Sequence, residues 1–244
     1  RDLHSFPTRR SSDLECIMKP IAAVIFCVAS AASLNASASI VTGSTRVIFD
    51  GSRQAASLSV ENSDKVTNLV QSWISPAKGS PLKKENMIIT PPLFRLEAGK
   101  KASIRIVRSG LPVPEDRESL LWLNVKGIPA TDGSEGKNTM QIAINSKIKL
   151  IYRPAALQGQ TPESSAEKLK WNLTAKGLQV NNPTPFYMNF SRIEINHQAL
   201  SGQYFVAPFS TLSISEGVMS PHGKVTWSLI NDYGVKGPDK VTSY

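Results

Sequence analysis

Few residues in this chain of 244 have the type and spacing of a catalytic or metal-binding group. It has three histidines, His4, His197 and His222, and two cysteines, Cys16 and Cys27. No cysteine or paired acidic residues accompany His197 or His222, so the pattern of a zinc site is missing. The Gly-x-Ser-x-Gly motif of many serine hydrolases is also missing. A catalytic Ser-His-Asp set stays open on composition alone, but the sequence favours binding over catalysis and predicts no metal and no cofactor.

The clearest local pattern lies in residues 138–154. Apolar side chains occupy alternate positions there, namely Met140, Ile142, Ile144, Ile148 and Leu150. Lys147 and Lys149 lie between them, and Arg153-Pro154 follows. This period of two predicts a β-strand with one apolar face, ended by the proline. The plain interpretation is a half-buried strand of a sandwich, and the alternative is that its first half is an edge strand offered to another protein.

Residues 18–38 have the pattern of a secretory signal peptide. A methionine and a lysine precede an apolar run at 21–28, and Ala-Ser-Ala ends at Ala38. The apolar run is too short to span a bilayer. We therefore predict export and cleavage after Ala38. Residues 1–17 precede the methionine without periodicity, and we predict a non-native, adapter-derived segment there, with a genuine N-terminal extension as the alternative.

The predicted mature chain contains neither cysteine, because both lie before residue 39. It therefore offers no disulfide and no thiolate metal site. The formal net charge of the whole chain is +9, and the excess of basic residues remains after the leader is removed. The basic residues are scattered, and export argues against nucleic acid, so we expect a basic surface that binds a protein partner.

Short apolar segments separated by turn residues predict an all-β chain, since no sustained helical period is present. The composition changes near residues 154–165, which predicts one domain over 39–155 and a second over 160–244. Each domain has the strand number of an immunoglobulin-like sandwich. The predicted strands of the first domain are 40–49, 55–60, 67–74, 87–96, 102–107, 119–128 and 138–154. Those of the second are 169–173, 178–181, 187–195, 204–206, 211–214 and 225–230, with a last one near Lys240.

Seven motifs, taken in this order, resemble the periplasmic chaperones of the chaperone–usher pathway for pili and fimbriae. They are Thr45-Arg-Val-Ile-Phe-Asp-Gly51, Gln71-Ser-Trp-Ile74, Thr90-Pro-Pro-Leu-Phe94, Asp116-Arg-Glu-Ser-Leu-Leu-Trp-Leu-Asn-Val-Lys-Gly-Ile-Pro129, Ile148-Lys-Leu-Ile-Tyr-Arg-Pro-Ala-Ala156, Asn182-Pro-Thr-Pro-Phe-Tyr187 and Ile230-Asn-Asp-Tyr-Gly234. The resemblance covers essentially all of residues 39–244. Any one motif alone would be weak, whereas the ordered set is specific.

The resemblance implies two immunoglobulin-like β-sandwich domains in an L-shaped arrangement with a cleft between them. It also implies a non-enzymatic protein of the periplasm that needs no cofactor. Its partners would be pilin subunits, whose own sandwich lacks the last strand, and an outer-membrane usher that receives them. The protein would lend its long edge strand to the subunit until the next subunit displaces it, a mode known as donor-strand complementation.

By the family pattern, Met140, Ile142 and Ile144 enter the groove of the subunit, while Ile148 and Leu150 belong to the protein's own core. Arg46 and Lys149 match the family's two cleft cations, which hold the C-terminal carboxylate of the subunit. Two cations suit this role, because charge-assisted hydrogen bonds to a carboxylate are strong. Lys147 is a secondary candidate for the same site.

The resemblance further implies a charge network between the domains, formed by Glu118, Arg153 and Asp232, that fixes the domain angle without contacting the subunit. The loop 129–138 is short, which resembles the subclass that assembles rod-like pili with tip adhesins. Whether the turn Thr90-Pro91-Pro92 contains a cis peptide is left open by the sequence.

Two other functions stay open on the residues alone: an exported immunoglobulin-like adhesin or binding module, and a secreted hydrolase. An adhesin would not need Arg46 and Lys149. If the protein is such a chaperone, the exposed apolar edge of the free protein is prone to pair with other chains. We therefore expect the free protein to hide this edge by forming a dimer or by covering it with a loop.

Overall fold

The computed structural model describes residues 39–130, 142–175, 177–216 and 220–244, which form two β-sandwiches. Nine strands build the first sandwich. They are β1 (Ile40–Thr42), β2 (Arg46–Asp50), β3 (Ala55–Asn62), β4 (Asn68–Pro76), β5 (Met87–Thr90), β6 (Leu93–Leu96), β7 (Lys101–Arg108), β8 (Ser119–Pro129) and β9 (Ile144–Arg153). A short 3-10 helix, Lys84–Asn86, precedes β5, and the peptide between Thr90 and Pro91 is cis.

The first sandwich consists of one sheet in the order β1-β3-β7-β5 and another in the order β2-β9-β8-β4-β6. The segments 40–49 and 87–96, each predicted as one strand, are each two strands in different sheets, so both predictions were wrong. β1 pairs with β3, whereas β2 pairs with β9. Alternating apolar residues of both sheets face each other, and Phe49, Ile104 and Leu150 are fully buried between them. This alternation is what period-two patterns produce when one face of each sheet is covered.

β9 is paired unequally on its two sides. β8 pairs with it along Ile144–Tyr152, but β2 pairs with it only along Lys149–Arg153. Among the described residues, the second side of Ile144–Ile148 therefore carries no strand, and we call this segment the open edge. The prediction of one strand over 138–154 was wrong at its start, because Ile142 and Ala143 lie outside any strand. They precede the last residue pair of the β8–β9 ladder, Gly127 with Ile144, and so have no hydrogen-bonding neighbour to hold them extended.

The second sandwich begins after two more 3-10 helices, Ala155–Leu157 and Glu163–Lys168. Its strands are β10 (Lys170–Thr174), β11 (Gly177–Asn182), β12 (Met188–Ile195), β13 (Gln198–Ala199), β14 (Phe205–Val206), β15 (Ser210–Ile214), β16 (Lys224–Leu229) and β17 (Lys240–Ser243). One sheet has the order β10-β11-β15 and the other β13-β12-β16-β17, with β14 also paired to β12. Together the two sandwiches confirm the prediction of an all-β chain with two immunoglobulin-like domains.

The second sandwich has an aromatic centre. Trp171, Phe190 and Trp227 contact one another in edge-to-face and tilted pairs, with ring centroids 5.7 to 6.1 Å apart. Leu157 packs into the same core from the connecting segment. Aromatic side chains bury large apolar areas, so they supply much of the stabilisation of a domain of this size. No helix in the part of the chain that the structure describes has the length and apolar character needed to cross a membrane.

A third, smaller apolar cluster joins the two sandwiches. Leu120 and Ile151 of the first sandwich pack with Tyr187 of the second, and all three are less than 5% exposed. Phe205 and Trp122 lie partly buried against this cluster. The domains therefore share a small core in addition to their polar contacts, and the residues around it are held in place from both sides.

Candidate functional site between the two domains

Arg46 and Lys149 lie directly beside each other on neighbouring strands. The parallel register of β2 and β9 pairs these two residues at the point where β2 begins. Arg46 is only 8% exposed, and Lys149 is partly buried. Two cations in this position repel each other and lose hydration, an arrangement that costs free energy unless an anion joins them.

The guanidinium of Arg46 is incompletely bonded. Its Nη1 donates to the main-chain oxygen of Ile230 at 3.5 Å, while its Nε is buried without a hydrogen-bond partner. Burial lowers the pKa of Arg46, and the more distant carboxylates of Asp232 and Glu163 raise it in part. A buried donor without a partner is unusual in proteins, and a ligand oxygen would satisfy it.

Lys149 is held by the second sandwich. Its Nζ donates to Oδ1 of Asn189 and lies 4.1 Å from the ring centroid of Phe205. Burial, followed by the nearby charge of Arg46, lowers the pKa of the Lys149 ammonium to about 8. The group therefore still carries its charge at neutral pH, but it is weakly stabilised there and would gain from an anionic partner.

A cavity of about 590 Å³ opens in front of these two cations, and we call it the cleft. Both sandwiches line it. Its described lining contains three cationic side chains and no carboxylate, and consists of Thr45, Arg46, Trp122, Lys147, Ile148, Lys149, Asn189, Phe190, Ser191, Gly202, Gln203, Tyr204, Phe205 and Ile230. The cleft is thus positively charged with partly aromatic walls, which suits a carboxylate attached to a peptide chain.

Lys147 lies two residues before Lys149 on the same face of β9. Its Nζ is 4.9 Å from the ring centroid of Trp122, and the side chain is exposed. It therefore lines the mouth of the cleft and does not join the buried pair. Its position fits a secondary contact to an incoming anion.

Exposed apolar side chains lie at the first residue of the open edge and two residues before it. Ile142 is 63% exposed and Ile144 is 44% exposed, although both are large and apolar. Ile148 and Leu150 continue the same alternation but are buried in the first core, as predicted. Met140, the first residue of the predicted donor stripe, lies outside the described residues, as does most of the loop 129–138.

Glu118, Arg153 and Asp232 meet at the other end of the same pair of strands. Arg153 donates from Nε to Glu118 at 2.8 Å, and its two terminal nitrogens donate to the two oxygens of Asp232 at 2.7 and 2.8 Å. Glu118 also accepts from the main-chain nitrogen of Tyr187 at 2.7 Å. Glu118 and Arg153 belong to the first sandwich and the other two residues to the second, so these contacts cross between the domains.

Burial and ion pairing act in opposite directions on the pKa values of this network. It raises the pKa of Glu118 to about 7, although Arg153 and the Tyr187 amide act in the opposite direction. Burial lowers the pKa of Arg153, but the hydrogen bonds and charges of Asp232 and Glu118 outweigh it, so the pKa is raised. The guanidinium of Arg153 and the amide of Tyr187 both donate to the carboxyl of Glu118 and favour its ionised form. Arg153 is thus paired with two carboxylates of the protein itself.

Sequence reasoning missed Asn189 and Phe205. Both come from the second sandwich, some forty or more positions away from Lys149, and no spacing in the sequence connects them. Asn189 follows the recognised motif ending at Tyr187, which could have indicated only that this region is near the site. Among the described residues, no group of three or more histidine, cysteine or acidic side chains is placed to hold a metal ion.

Comparison with known protein families identifies the family of this chain. Residues 39–158 match the pili and flagellar-assembly chaperone PapD N-terminal domain, and residues 164–240 match the pili assembly chaperone PapD C-terminal domain. The chain therefore belongs to the PapD-like pilus assembly chaperones. This confirms the resemblance stated from the sequence motifs.

Individual relatives agree with this assignment. The probable fimbrial chaperone LpfB of Escherichia coli O157:H7 is 42% identical over 216 residues, which cover 85% of this chain and 91% of that protein. The chaperone FimC of Escherichia coli K12 is 37% identical and covers 89% of this chain and 90% of that protein. Among solved structures, the SafB chaperone of Salmonella enterica, determined in complex with the SafA pilin, has a TM-score of 0.75 at 36% identity and covers 86% of this chain and 99% of its own. This chain is thus a chaperone of pilus assembly.

Proposed function

We propose that this chaperone acts in the periplasm by lending the open edge of β9 to a pilin subunit and holding the subunit's C-terminal carboxylate between Arg46 and Lys149. One observation carries the proposal. Two neighbouring cations, one with an unsatisfied buried donor, lie directly after the last residue of the open edge, in a cleft whose described lining has no carboxylate.

The open edge supplies the pairing. Its free N–H and C=O groups can continue a sheet into a second protein, a mode of recognition called β-augmentation. The exposed Ile142 and Ile144 then enter the partner's apolar groove. Complete burial of each such side chain contributes roughly 1.5–3 kcal/mol. Met140 extends this stripe in the proposal.

The cation pair binds the C-terminus of the subunit in this proposal. A carboxylate between a guanidinium and an ammonium makes charge-assisted hydrogen bonds, each contributing about 1.5–3 kcal/mol. It also relieves the repulsion between Arg46 and Lys149. Only the end of a chain offers a main-chain carboxylate, so the pair would select the terminus of a subunit over an internal segment.

The class of partner follows from the site and from a relative. SafB was solved together with a pilin, which supports a pilin subunit as the occupant of this edge. Delivery of the subunit to an outer-membrane usher belongs to the same proposal, because a lent strand must later be exchanged. The protein works by binding and needs no catalytic group and no cofactor.

Co-purification tests the proposal. The chain is expressed in the periplasm with a candidate pilin subunit, as wild type and as Lys149→Ala, with Lys170→Ala as a matched control because Lys170 is exposed on the second sandwich. We expect a one-to-one complex with wild type and control and a yield at least about tenfold lower with Lys149→Ala, from the lost charge-assisted bonds. Extending the pilin by a few residues at its C-terminus should lower the yield similarly.

Equal recovery of the complex with wild type and Lys149→Ala would remove the carboxylate from the mechanism. Failure to bind any pilin subunit, with the folded protein in hand, would favour the exported adhesin instead. Sedimentation of the free protein over a range of concentrations tests whether the open edge is hidden by a dimer.

A further inference from the structure

The ammonium of Lys149 is presented by a residue of the other domain. Nζ donates to Oδ1 of Asn189 on β12, and the ring of Phe205 on β14 lies 4.1 Å away. Asn189 is 4% exposed. A flexible lysine side chain loses considerable rotamer freedom when it is held in one position. Because Asn189 already holds the side chain of Lys149, this rotamer freedom is lost before any partner binds.

The amide of Asn189 is fixed in one orientation. Its Nδ2 donates to the main-chain oxygen of Tyr187 at 3.4 Å, while its Oδ1 accepts from Lys149. A carbonyl oxygen only accepts and an ammonium only donates, so a rotated amide would oppose both neighbours. Asn189 therefore turns its acceptor toward the lysine.

Asn189 is also joined to the other cation and to the charge network. Its main-chain oxygen accepts from the nitrogen of Ile230 at 2.8 Å, and the oxygen of Ile230 accepts from Arg46. On its other side, Tyr187 donates its main-chain nitrogen to Glu118. The segment 187–189, together with Ile230, thus connects both cleft cations to the interdomain contacts.

We infer that Asn189 is a positioning residue of the carboxylate anchor, so that the second domain contributes directly to recognition of the subunit terminus. The inference rests on the proposed function of Arg46 and Lys149. Asn189 holds the ammonium in place through a neutral acceptor, which leaves its charge available for the incoming carboxylate. An acidic residue at this position would neutralise the ammonium instead and compete with the subunit.

Two variants with opposite expected effects test this inference. Asn189→Asp places a carboxylate against Nζ and should raise the pKa of Lys149 by about one unit or more. Asn189→Leu removes the acceptor for the charged form and should lower that pKa further. The pKa is measured in the free protein by NMR titration of labelled lysine side chains, with the exposed Lys170 as an internal reference. Asn172→Asp, an exposed position on the same domain, is the matched control.

Binding to a pilin subunit is then measured for the same variants. We expect at least about tenfold weaker binding for Asn189→Asp, because the internal carboxylate occupies the anchor. For Asn189→Leu we expect a several-fold loss, because the lysine is no longer held, and for Asn172→Asp no change.

The outcomes separate this inference from the proposed function. An unchanged Lys149 pKa in both variants, or shifts in the same direction, would overturn the positioning role. Wild-type binding by Asn189→Asp, alongside loss of binding in Lys149→Ala, would overturn it as well. Loss of sensitivity to Lys149 itself would instead contradict the proposed function, whatever the pKa values of the variants.

Discussion

The pair of strands β2 and β9 carries two buried cationic sites that differ in one respect. At one end, Arg153 is surrounded by Glu118 and Asp232 and makes three short hydrogen bonds to them. At the other end, Arg46 and Lys149 lie side by side with no carboxylate in the described lining of the cleft. The first site is complete within the protein, and the second lacks an anion. In our proposal, the first site joins the two domains and the second receives a partner.

The largest effect is expected from breaking the complete site. Arg153→Ala leaves Glu118 buried without its cation, which should lower the free energy of unfolding by about 3–5 kcal/mol. Lys149→Ala removes one of two like charges and should leave this free energy within about 1 kcal/mol of the wild type. Chemical denaturation at pH 7 measures both, with the exposed Arg105→Ala as the control. Equal losses at the two sites would erase the distinction between them.

A pH titration of pilin binding sharpens the comparison. The pKa of Lys149 is lowered to about 8, so the ammonium loses its proton as the pH rises through that value. Affinity for the subunit should therefore be greatest below pH 8 and fall by up to about tenfold between pH 7 and pH 9, in proportion to the charged fraction.

Lys149→Arg is the control for this titration, because a guanidinium stays charged over the whole range. Its affinity should change little with pH even if it starts lower. A wild-type affinity that is flat between pH 7 and pH 9 would contradict the role of the ammonium.

The smallest effect is expected at the mouth of the cleft. Lys147 is exposed and lies over the ring of Trp122, and an exposed charge that pairs with an incoming anion contributes at most about 1 kcal/mol. Lys147→Ala should weaken pilin binding by no more than about fivefold, and the loss should shrink with added salt because exposed charges are screened. A loss as large as that of Lys149→Ala, measured in the same assay, would move Lys147 into the anchor itself.

The sequence predicted what depends on local pattern. Alternation in β3, in β7 and in β9 from Ile148 onward predicted strands whose apolar side chains are buried, and the motif resemblance identified Arg46 and Lys149 as candidates. The sequence did not show that residues 40–49 divide between two sheets, because a change of sheet produces no distinct periodicity in the sequence. It also placed the start of β9 too early, because pairing with β8 decides where the ladder ends.

Local sequence patterns could not predict the contacts between the domains. Asn189 is an ordinary polar residue in a strand until folding brings it against Lys149. Phe205 lies in a segment predicted as a strand, 204–206, but nothing in that pattern indicated that its ring would contact Lys149. The interdomain triad was predicted only through the family resemblance. Residues that act across a domain interface depend on tertiary geometry, which no single-sequence period encodes.

If the proposed anchor holds a client, β9 acts as a molecular ruler. Lys149 lies five positions after Ile144, a distance of roughly 17 Å along an extended strand. If the last residue of a client is fixed at Lys149, every earlier residue of its final strand is counted back from that point. Since side chains alternate between two faces, a client lengthened by one residue would turn its inward side chains outward, whereas two added residues would restore the facing. The proposed anchor would therefore select a client by its terminal carboxylate and also by whether the number of residues in its final strand places the correct side chains inward.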